Sequence, residues 1–357
     1  MNRPGSAYLL GVPAGYRRTG PRAGILVHLR SLVVCAICGL LILIGAVASL
    51  TTGTYPIPVT TLLQIVLGEG DQLSQFILLD QRMPRVVGAV GIGGMLGMSG
   101  SLFQSLSRNP LGSPDIVGFT RGATTGGLVA ILVLSSTTTA VVTGTGAILG
   151  GAATAALVIV LTLRRGLGGD VLVLVGIALG QLLSSINDYL LVATDIETAE
   201  AAKTWQHGSL NGITWQFVLP LVVVAVLLLP VGLWLGGPGR VLEMGDDTAA
   251  GLGLQVRRTR AAMIGYGVVL AAVCVAAAGP IGFLALAAPQ LASRLCRSPG
   301  MNLTSSFMVG AALMVLADFV AGRLLSPFQI PVGLICSALG GLYLMWLLGM
   351  GGQQRRE

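Results

Sequence analysis

Long apolar segments, separated by short polar stretches, run along almost the whole chain. The clearest of them lies between Arg85 and Arg108, where about 22 consecutive residues carry no charge. A helix of that length rises by roughly 1.5 Å per residue and therefore spans the hydrocarbon layer of a bilayer, which is about 30 Å thick. Arginine and proline stand at both of its ends. The pattern predicts a membrane-crossing helix with a polar site at each end.

Ten segments of this kind are predicted as transmembrane helices. They cover residues 31–50, 86–106, 114–134, 141–163, 171–193, 215–236, 261–278, 281–296, 304–325 and 330–350. The seventh and eighth meet at Gly279 and Pro280 with almost no loop, so they form either two spans or one broken hairpin. The predicted fold class is an all-α polytopic membrane protein with about ten transmembrane helices. Residues 30–350 form its membrane domain, 1–29 a flexible cytoplasmic lead and 351–357 a cytoplasmic tail.

The composition supports this class and excludes a large soluble domain. Of the 357 residues, 54% are hydrophobic and 10% are charged, whereas a soluble domain carries about 25% charged residues. The 52 glycines indicate helices that approach one another closely through small residues. The first span lacks a small-residue cleavage site, so it is predicted to be a retained helix rather than a signal peptide.

The distribution of Lys and Arg predicts the orientation in the membrane. With the amino terminus in the cytoplasm, 16 of the 21 residues fall inside and 4 fall outside, namely Arg82, Arg85, Lys203 and Arg323, while Arg121 lies within or at the edge of a span. Cytoplasmic loops are enriched in Lys and Arg, so both termini are predicted to be cytoplasmic. The net charge of +7 is then a topology signal. It does not indicate nucleic-acid binding, because the basic residues are dispersed and no basic face carries aromatic platforms.

The chain lacks the residues that catalysis or nucleotide binding would require. A phosphate-binding loop of the Walker type needs Gly followed by Lys, and the single lysine, Lys203, follows Ala202. His28 and His207 are too few for a multi-histidine metal site. The five cysteines lie in or beside apolar spans and are interpreted as small buried hydrophobic residues. We therefore expect no enzyme activity and no cofactor or metal bound by this chain.

An ion-coupled secondary transporter is the alternative from a different class. Such carriers generally need ionisable groups within the membrane, and the candidates here are Arg121, Asp188 and Asp318. They are scattered among three spans and make a poor relay. Asp318 precedes Arg323 by five residues near the outer end of its span, where we expect it to pair with a neighbouring cation or to reach the interface.

Two loops carry distinctive polar sequences. In the inner loop 237–260, Asp246, Asp247 and Thr248 are good helix starters because their side-chain oxygens can accept from free first-turn N–H groups. Gly251 and Gly253 are expected to end that helix after one or two turns. A short rigid helix would suit force transmission to a soluble subunit, although an ordinary solvated connector has the same composition. The outer loop 194–214 is predicted to form a short amphipathic helix on the outer surface.

Several separated motifs resemble one family of transport proteins. They are RMPR at 82–85, RNPLGSP at 108–114, GDDTAAGLG at 245–253, GPIGF at 279–283, AD at 317–318 and PVG at 331–333. Together they resemble the FecCD family, the membrane permeases of ABC importers for ferric siderophores and vitamin B12. The stretches around 208–215 and 242–247 are most similar to permeases for catecholate siderophores such as ferric enterobactin.

The resemblance implies a fold and a set of partners. It implies the type II ABC importer permease fold, with ten helices per subunit, in the bacterial cytoplasmic membrane. The expected partners are a second permease subunit, identical or related, two ATPase subunits that use the ATP, and a substrate-binding protein. The expected cargo is a ferric siderophore, carried across the lipid bilayer by alternating access; cobalamin or haem, carried by the same machinery, is the alternative cargo.

The resemblance also assigns roles to individual residues. Docking of the binding protein is assigned to Arg82, Arg85 and Arg323. Coupling to the ATPase is assigned to the segment that contains Asp246, Asp247, Thr248, Ala249, Gly251 and Gly253. The inner gate is assigned to Asn109, Pro110 and Leu111, together with the loop 164–170. The pathway candidates are Arg121, Asn187 and Asp188; Arg121 and Asp188 stand where relatives usually carry no charge, and the alternative for them is a contact with the second permease. Gln290 stands where relatives commonly have histidine.

Overall fold

The computed structural model describes residues 16–19, 25–115, 118–133, 140–165, 169–298, 300–325 and 328–351. Within these ranges, ten helices of 13 to 29 residues correspond to the ten predicted spans. In chain order, and with four shorter helices included, the helices are α1 Leu29–Thr51, α2 Val59–Val66, α3 Gln72–Gln75, α4 Met83–Ser107, α5 Phe119–Val133, α6 Ala140–Arg165, α7 Gly169–Val192, α8 Ile196–Gln206, α9 Trp215–Glu243, α10 Asp246–Gly251, α11 Val256–Ala278, α12 Leu284–Cys296, α13 Leu303–Ala321 and α14 Val332–Gly351.

Not every predicted span is a full membrane-crossing helix. Seven helices in the described part of the chain are long and apolar enough to cross a membrane by length and composition. Helices α5 and α12 have only 15 and 13 residues, fewer than the roughly 20 that a bilayer needs. Gly279, with a φ of +74°, separates α11 from α12, so the predicted break at this position is confirmed.

The stretch before α4 is helical, although the predicted span begins only at residue 86. A π-helical segment, Phe76–Arg82, joins α3 to α4. At its end the amide of Met83 donates to Leu78, five residues earlier. Pro84 follows and cannot donate the hydrogen bond of an α-helix, and the wider turns before it keep the chain helical. Arg82 and Arg85 therefore lie on one continuous helical segment.

The amino-terminal lead contains regular structure that the sequence analysis did not predict. Strands β1, Tyr16–Thr19, and β2, Ile25–His28, pair antiparallel and lead directly into α1. The β-branched residues of β2 favour an extended strand. The rest of the lead, 1–15 and 20–24, and the tail from 352 onward lie outside the described residues.

Helix α4 forms the centre of the bundle and packs against α9, α11, α12 and α13. Glycines allow neighbouring helices to touch its backbone: a Cβ at Gly100 would overlap the carbonyl oxygen of Ala285 on α12. Helices α5 and α6 pack in the same way, because a Cβ at Gly126 would overlap the carbonyl of Gly146. The close approach predicted from the glycine content is confirmed.

The bundle has two distinct ends. At one end, which we name the cleft end, α1 ends and the π-helical segment passes into α4. At the other, the α10 end, α4 and α9 finish and the short helix α10 turns the chain into α11. The predicted docking arginines lie at the cleft end, and the predicted coupling and gate residues lie at the α10 end.

Candidate functional site

An open cleft of about 1060 Å³ occupies the cleft end of the bundle. Residues from α1, the π-helical segment, α4, the loop before α9 and the end of α13 line it. All three arginines predicted to dock a binding protein, Arg82, Arg85 and Arg323, contribute to its wall, together with Asp80 and Asp318. The structure thus brings Arg323 together with Arg82 and Arg85, which lie more than 230 positions earlier in the chain.

Arg85 is held by a buried carboxylate. Its Nε donates to Asp318 Oδ2 at 2.8 Å and to Oδ1 at 3.1 Å, and the Asp318 side chain is only 5% exposed. A second group of Arg85, Nη1, donates to Gln329 at 3.2 Å. The partner of Asp318 is therefore Arg85 on α4. The expected pairing with a cation is confirmed, and Arg323, the arginine next in sequence, turns towards α1 instead.

Arg82 and Arg323 bind the carboxyl-terminal end of α1 and the residues directly after it. Arg82 donates to the carbonyls of Leu50 at 2.6 Å and Tyr55 at 2.5 Å. Arg323 donates to the carbonyl of Thr52 at 3.0 Å and also to its hydroxyl. The free carbonyls at a helix end carry partial negative charge and attract cations. The two guanidinium groups are thereby fixed in place, at the wall of a positively charged cleft.

The predicted short helix at the α10 end is present, but it begins differently from the prediction. Gly245, with a φ of +112°, precedes Asp246–Gly251, and no side chain caps the helix. The carboxylate of Asp246 does not cap it, contrary to expectation. Instead it accepts from Arg108 Nη2 at 2.9 Å and Arg260 Nη2 at 2.7 Å. Asp246 is therefore an anchor that ties α10 to the ends of α4 and α11.

The outer face of α10 remains available to a partner. Ala249 is fully buried against the bundle, whereas Asp247 and Thr248 are exposed. Leu252, directly after the helix, is 66% exposed. Gly253 then reverses the chain with a φ of +84°, in agreement with its predicted role as a helix terminator. A small acidic and apolar surface results.

The predicted inner-gate loop lies beside α10 and is pinned at two points. Asn109 Oδ1 accepts from the amide of Leu111 at 2.9 Å, which forms a tight local turn. Gln290 on α12 donates to the carbonyl of Pro110 at 3.1 Å and to Gln104 at 2.9 Å. Sequence reasoning noted Gln290 only as a departure from relatives and missed this contact. The second predicted gate loop, 164–170, lies partly outside the described residues.

Arg108 joins this loop to α10, a link that sequence reasoning also missed. It immediately precedes Asn109 and ends α4 in a left-handed conformation, with a φ of +48°. Its guanidinium reaches Asp246. A displacement of α10 would therefore pull on the residue next to the gate loop. The signal in the sequence was the RNP motif itself, but its distant partner could not be read from it.

We expect Gln290→Ala to loosen the gate loop. The change removes the donor to Pro110, and a single hydrogen bond contributes about 0.5–1.5 kcal/mol. A cysteine introduced at Leu111, which is 45% exposed, should then react about two- to tenfold faster with a water-soluble maleimide. Gln64→Ala, at the cleft end, is the control. An unchanged labelling rate would contradict the pinning role.

The three pathway candidates do not share one surface. Arg121 is exposed, and its Nη1 donates to Gln181 on α7 at 2.6 Å. Asp188 is exposed on α7. Asn187 is turned into its own subunit, is only 3% exposed, and its Oδ1 has no hydrogen-bond partner among the described residues. The structure therefore groups Arg121 and Asp188 with Gln181 and separates Asn187 from them.

Helix α8 fits the prediction of a short helix in the loop 194–214. Asp195 caps it by accepting from the amide of Thr198 at 2.8 Å. That backbone hydrogen bond holds the pKa of the Asp195 carboxyl below its usual value. At the other end, Trp205 packs against α5, where a Cβ at Gly127 would overlap its ring. Helix α8 is thus fixed against α5 and α7.

Comparison with known families decides the identity. The model of the FecCD transport family matches residues 40–349. The chain belongs to the FecCD transport family. A relative in Escherichia coli, the ferric enterobactin transport system permease protein FepG, is 39% identical over 91% of this chain and 98% of its own length. The iron(3+)-hydroxamate import system permease protein FhuG of Bacillus subtilis is 32% identical over 89% of this chain and 97% of its own length.

The fold is also similar to that of a solved ABC transporter structure. A metal-chelate-type ABC transporter in an inward-facing conformation is 29% identical, with a TM-score of 0.80, over 89% of this chain and 99% of that one. The chain is accordingly a multi-pass inner-membrane permease subunit of an ABC importer. It is not an enzyme, and a partner ATPase hydrolyses the ATP. The resemblance stated from the motifs and the predicted fold class are confirmed.

Proposed function

We propose that this FecCD permease carries a ferric siderophore across the cytoplasmic membrane. The observation that supports this cargo is the 39% identity to the ferric enterobactin permease over nearly the whole of both chains. The arginine-lined cleft and the α10 surface stand at opposite ends of one bundle. That separation suits a protein that accepts its cargo at one membrane face and binds an ATPase at the other. ATP hydrolysis at the α10 end would drive the cycle.

The proposed orientation places the cleft outside and α10 in the cytoplasm, with both termini cytoplasmic. The distribution of 16 Lys and Arg residues inside against 4 outside supports it. A substrate-binding protein with an acidic surface would dock at the cleft. Because Arg82 and Arg323 are already fixed by α1 carbonyls, little side-chain entropy would be lost on docking. Two ATPase subunits would bind the exposed face of α10.

The proposed mechanism is alternating access between the two faces. Movement of α10 would be transmitted through the Asp246–Arg108 ion pair to the loop of Asn109, Pro110 and Leu111. The pathway would lie between this subunit and a second permease, identical or related. Helix α7 supports this arrangement, because it exposes a broad face that carries Leu174, Leu182 and Tyr189 among large apolar residues, and such a face needs a partner or lipid.

Reconstitution tests the proposal directly. The permease, its ATPase and its binding protein would be placed in liposomes, and uptake of radiolabelled ferric catecholate would be measured with and without ATP. We expect uptake that requires both partners and ATP. Cobalamin and haem serve as comparison cargoes. Uptake of cobalamin or haem without uptake of the ferric catecholate would contradict the proposal. Iron uptake against its gradient by the permease alone, driven by an ion gradient, would also contradict it.

The docking role predicts a charge effect at Arg82 and Arg323. Replacement of either by Gln keeps an N–H donor for the α1 carbonyls but removes the charge. Exposed ion pairs contribute about 0–1 kcal/mol each, so each variant should bind the binding protein up to about fivefold more weakly, and the effect should shrink at high salt. Surface plasmon resonance at two salt concentrations would measure this.

The matched control for docking is Arg240→Gln, which removes an exposed cation at the α10 end. It should leave binding unchanged. Arg85 is not a suitable test residue, because its removal would leave the buried carboxylate of Asp318 without its partner. Equal weakening by the Arg240 variant would mean that net charge, and not the cleft, governs the association.

A further inference from the structure

Arg121 lies at the middle of the membrane domain. Its Nη1 donates to Gln181 Oε1 at 2.6 Å. Gln181 is near the centre of α7, Gly169–Val192, and so roughly 17 Å from either end of that helix by the helical rise. The guanidinium therefore stands at about half the depth of the bilayer, where charged side chains are rare and mark functional sites.

The surface around Arg121 is polar and faces away from its own subunit. Gln181, Ser185 and Asp188 are all exposed and recur at the spacing of one helix face. Asn187, on the opposite face of α7, is buried within the subunit. Charged groups at such depth face a water-filled cavity or a bundle interior rather than lipid. This polar stripe is therefore expected to border the pathway.

Arg121 makes no direct ion pair within the described part of its subunit. Among the described residues, no carboxylate oxygen lies within 4 Å of it. The carboxylate of Asp115, which precedes α5, accepts from the hydroxyl of Thr120 at 2.5 Å and attracts Arg121 only over a longer distance. A guanidinium has five N–H donors, and the hydrogen bond to Gln181 uses one of them. Arg121 thus retains both its charge and donors for a ligand.

Asp188 does not neutralise Arg121 across the pathway either. It follows Gln181 by seven residues, roughly 10 Å along the helix axis. If the proposed function holds and a second copy of this chain faces the first across an axis along the membrane normal, equal residues lie at equal depth. The Asp188 of that copy is then also about two helical turns away from Arg121 in depth. Asp188 stands near the end of α7, where water screens it.

We infer that Arg121 is the charge-selective element of the pathway and that it favours metal chelates of net negative charge with anionic oxygens at their surface. A guanidinium presents paired donors that match two neighbouring anionic oxygens. Rings of arginine in pores select anions. Gln181 positions the guanidinium. The inference rests on the proposed function and narrows its substrate class.

The test uses the complete importer in liposomes with ATP. Two probes are compared, a trianionic ferric tris-catecholate and an uncharged ferric trihydroxamate. Arg121→Gln should lower uptake of the anionic chelate about tenfold relative to the uncharged one, which corresponds to about 1.4 kcal/mol. Arg121→Lys keeps the charge and should retain most of the preference. Selection by the binding protein is common to all variants and cancels in the comparison.

Two control variants separate charge from packing. Arg240→Gln removes an exposed cation at the α10 end, outside the stripe, and should leave the preference for the anionic chelate unchanged. Gln181→Leu breaks the hydrogen bond that positions the guanidinium but keeps the charge, so the preference should fall less than in Arg121→Gln. If the wild-type importer takes up only the anionic probe, uptake of that probe by Arg121→Lys is compared with uptake by Arg121→Gln. Higher uptake by Arg121→Lys supports the inference, and an equal loss in both variants overturns it.

Other outcomes also overturn the inference. An unchanged preference in Arg121→Gln would do so. The two charges can also be exchanged in a double variant, Arg121→Asp with Asp188→Arg. If each single variant loses assembly and uptake and the double variant recovers them, Arg121 and Asp188 form a structural ion pair instead. Failure of the wild-type importer to take up any iron chelate would refute the proposed function itself. Wild-type uptake with an unaffected Arg121→Gln preference would refute the present inference alone.

Discussion

Replacement of Gly100 by valine is expected to prevent formation of the folded bundle. The α-hydrogen of Gly100 allows the carbonyl of Ala285 on α12 to lie against α4, and a Cβ would overlap that oxygen. Neither backbone can move without separating two helices of the core. Overpacking costs typically about 1–3 kcal/mol when side chains can adjust, and here the contact is with the backbone. Size-exclusion chromatography in detergent should show aggregated or degraded protein.

The control for this prediction is Gly265→Val on α11. A Cβ at Gly265 would meet no atom within 4 Å, so the substitution should leave a monodisperse protein. A monodisperse Gly100→Val variant with normal thermal stability would mean that α12 does not pack on α4 as closely as described. Gly126→Val, at the contact of α5 with α6, should repeat the defect in a second pair of helices.

Replacement of Asp246 by alanine is expected to uncouple ATP hydrolysis from transport. The carboxylate accepts from both Arg108 and Arg260, and hydrogen bonds to charged groups contribute about 1.5–3 kcal/mol. Without it, α10 would no longer be tied to the gate loop that follows Arg108. The number of chelate molecules imported per ATP hydrolysed should fall about tenfold or more, while ATPase activity continues.

Asp247→Ala is the matched comparison for this effect. Asp247 is the next residue of α10, is exposed, and has no side-chain partner among the described residues. It should cause a smaller loss than Asp246→Ala if the internal ion pair transmits the movement. An equal or larger loss would assign coupling to direct contact with the ATPase. Normal coupling in both variants would remove the role assigned to α10.

Much of this architecture followed from the sequence because hydrocarbon tolerates few charges. The long uncharged runs predicted where helices cross, and Gly279 with Pro280 predicted the break between α11 and α12. Arg82, Arg85 and Arg323 were expected together because the Lys and Arg distribution placed them at one membrane face. The short helix Asp246–Gly251 was predicted from its helix-starting acids and terminating glycines.

The contacts of those residues could not be predicted. Asp318 pairs with Arg85, 233 positions away, and not with the nearby Arg323. Asp246 binds two arginines instead of capping its own helix. The local sequence shows which side chains can form ion pairs and hydrogen bonds. It does not show which of several similar partners will lie next to them once the helices have packed.

Hydrophobic pattern and motifs were enough to establish the fold class, the family, the ten longer helices and the end of the molecule at which each charged motif lies. These follow from hydrophobic length and from short motifs, which are local properties. Only the tertiary structure decided that Arg121 keeps an exposed charge beside Gln181 while Asn187 is buried. Adjacent residues of a helix differ by about 100° in direction. Which of them borders the pathway therefore depends on how α7 packs against its neighbours.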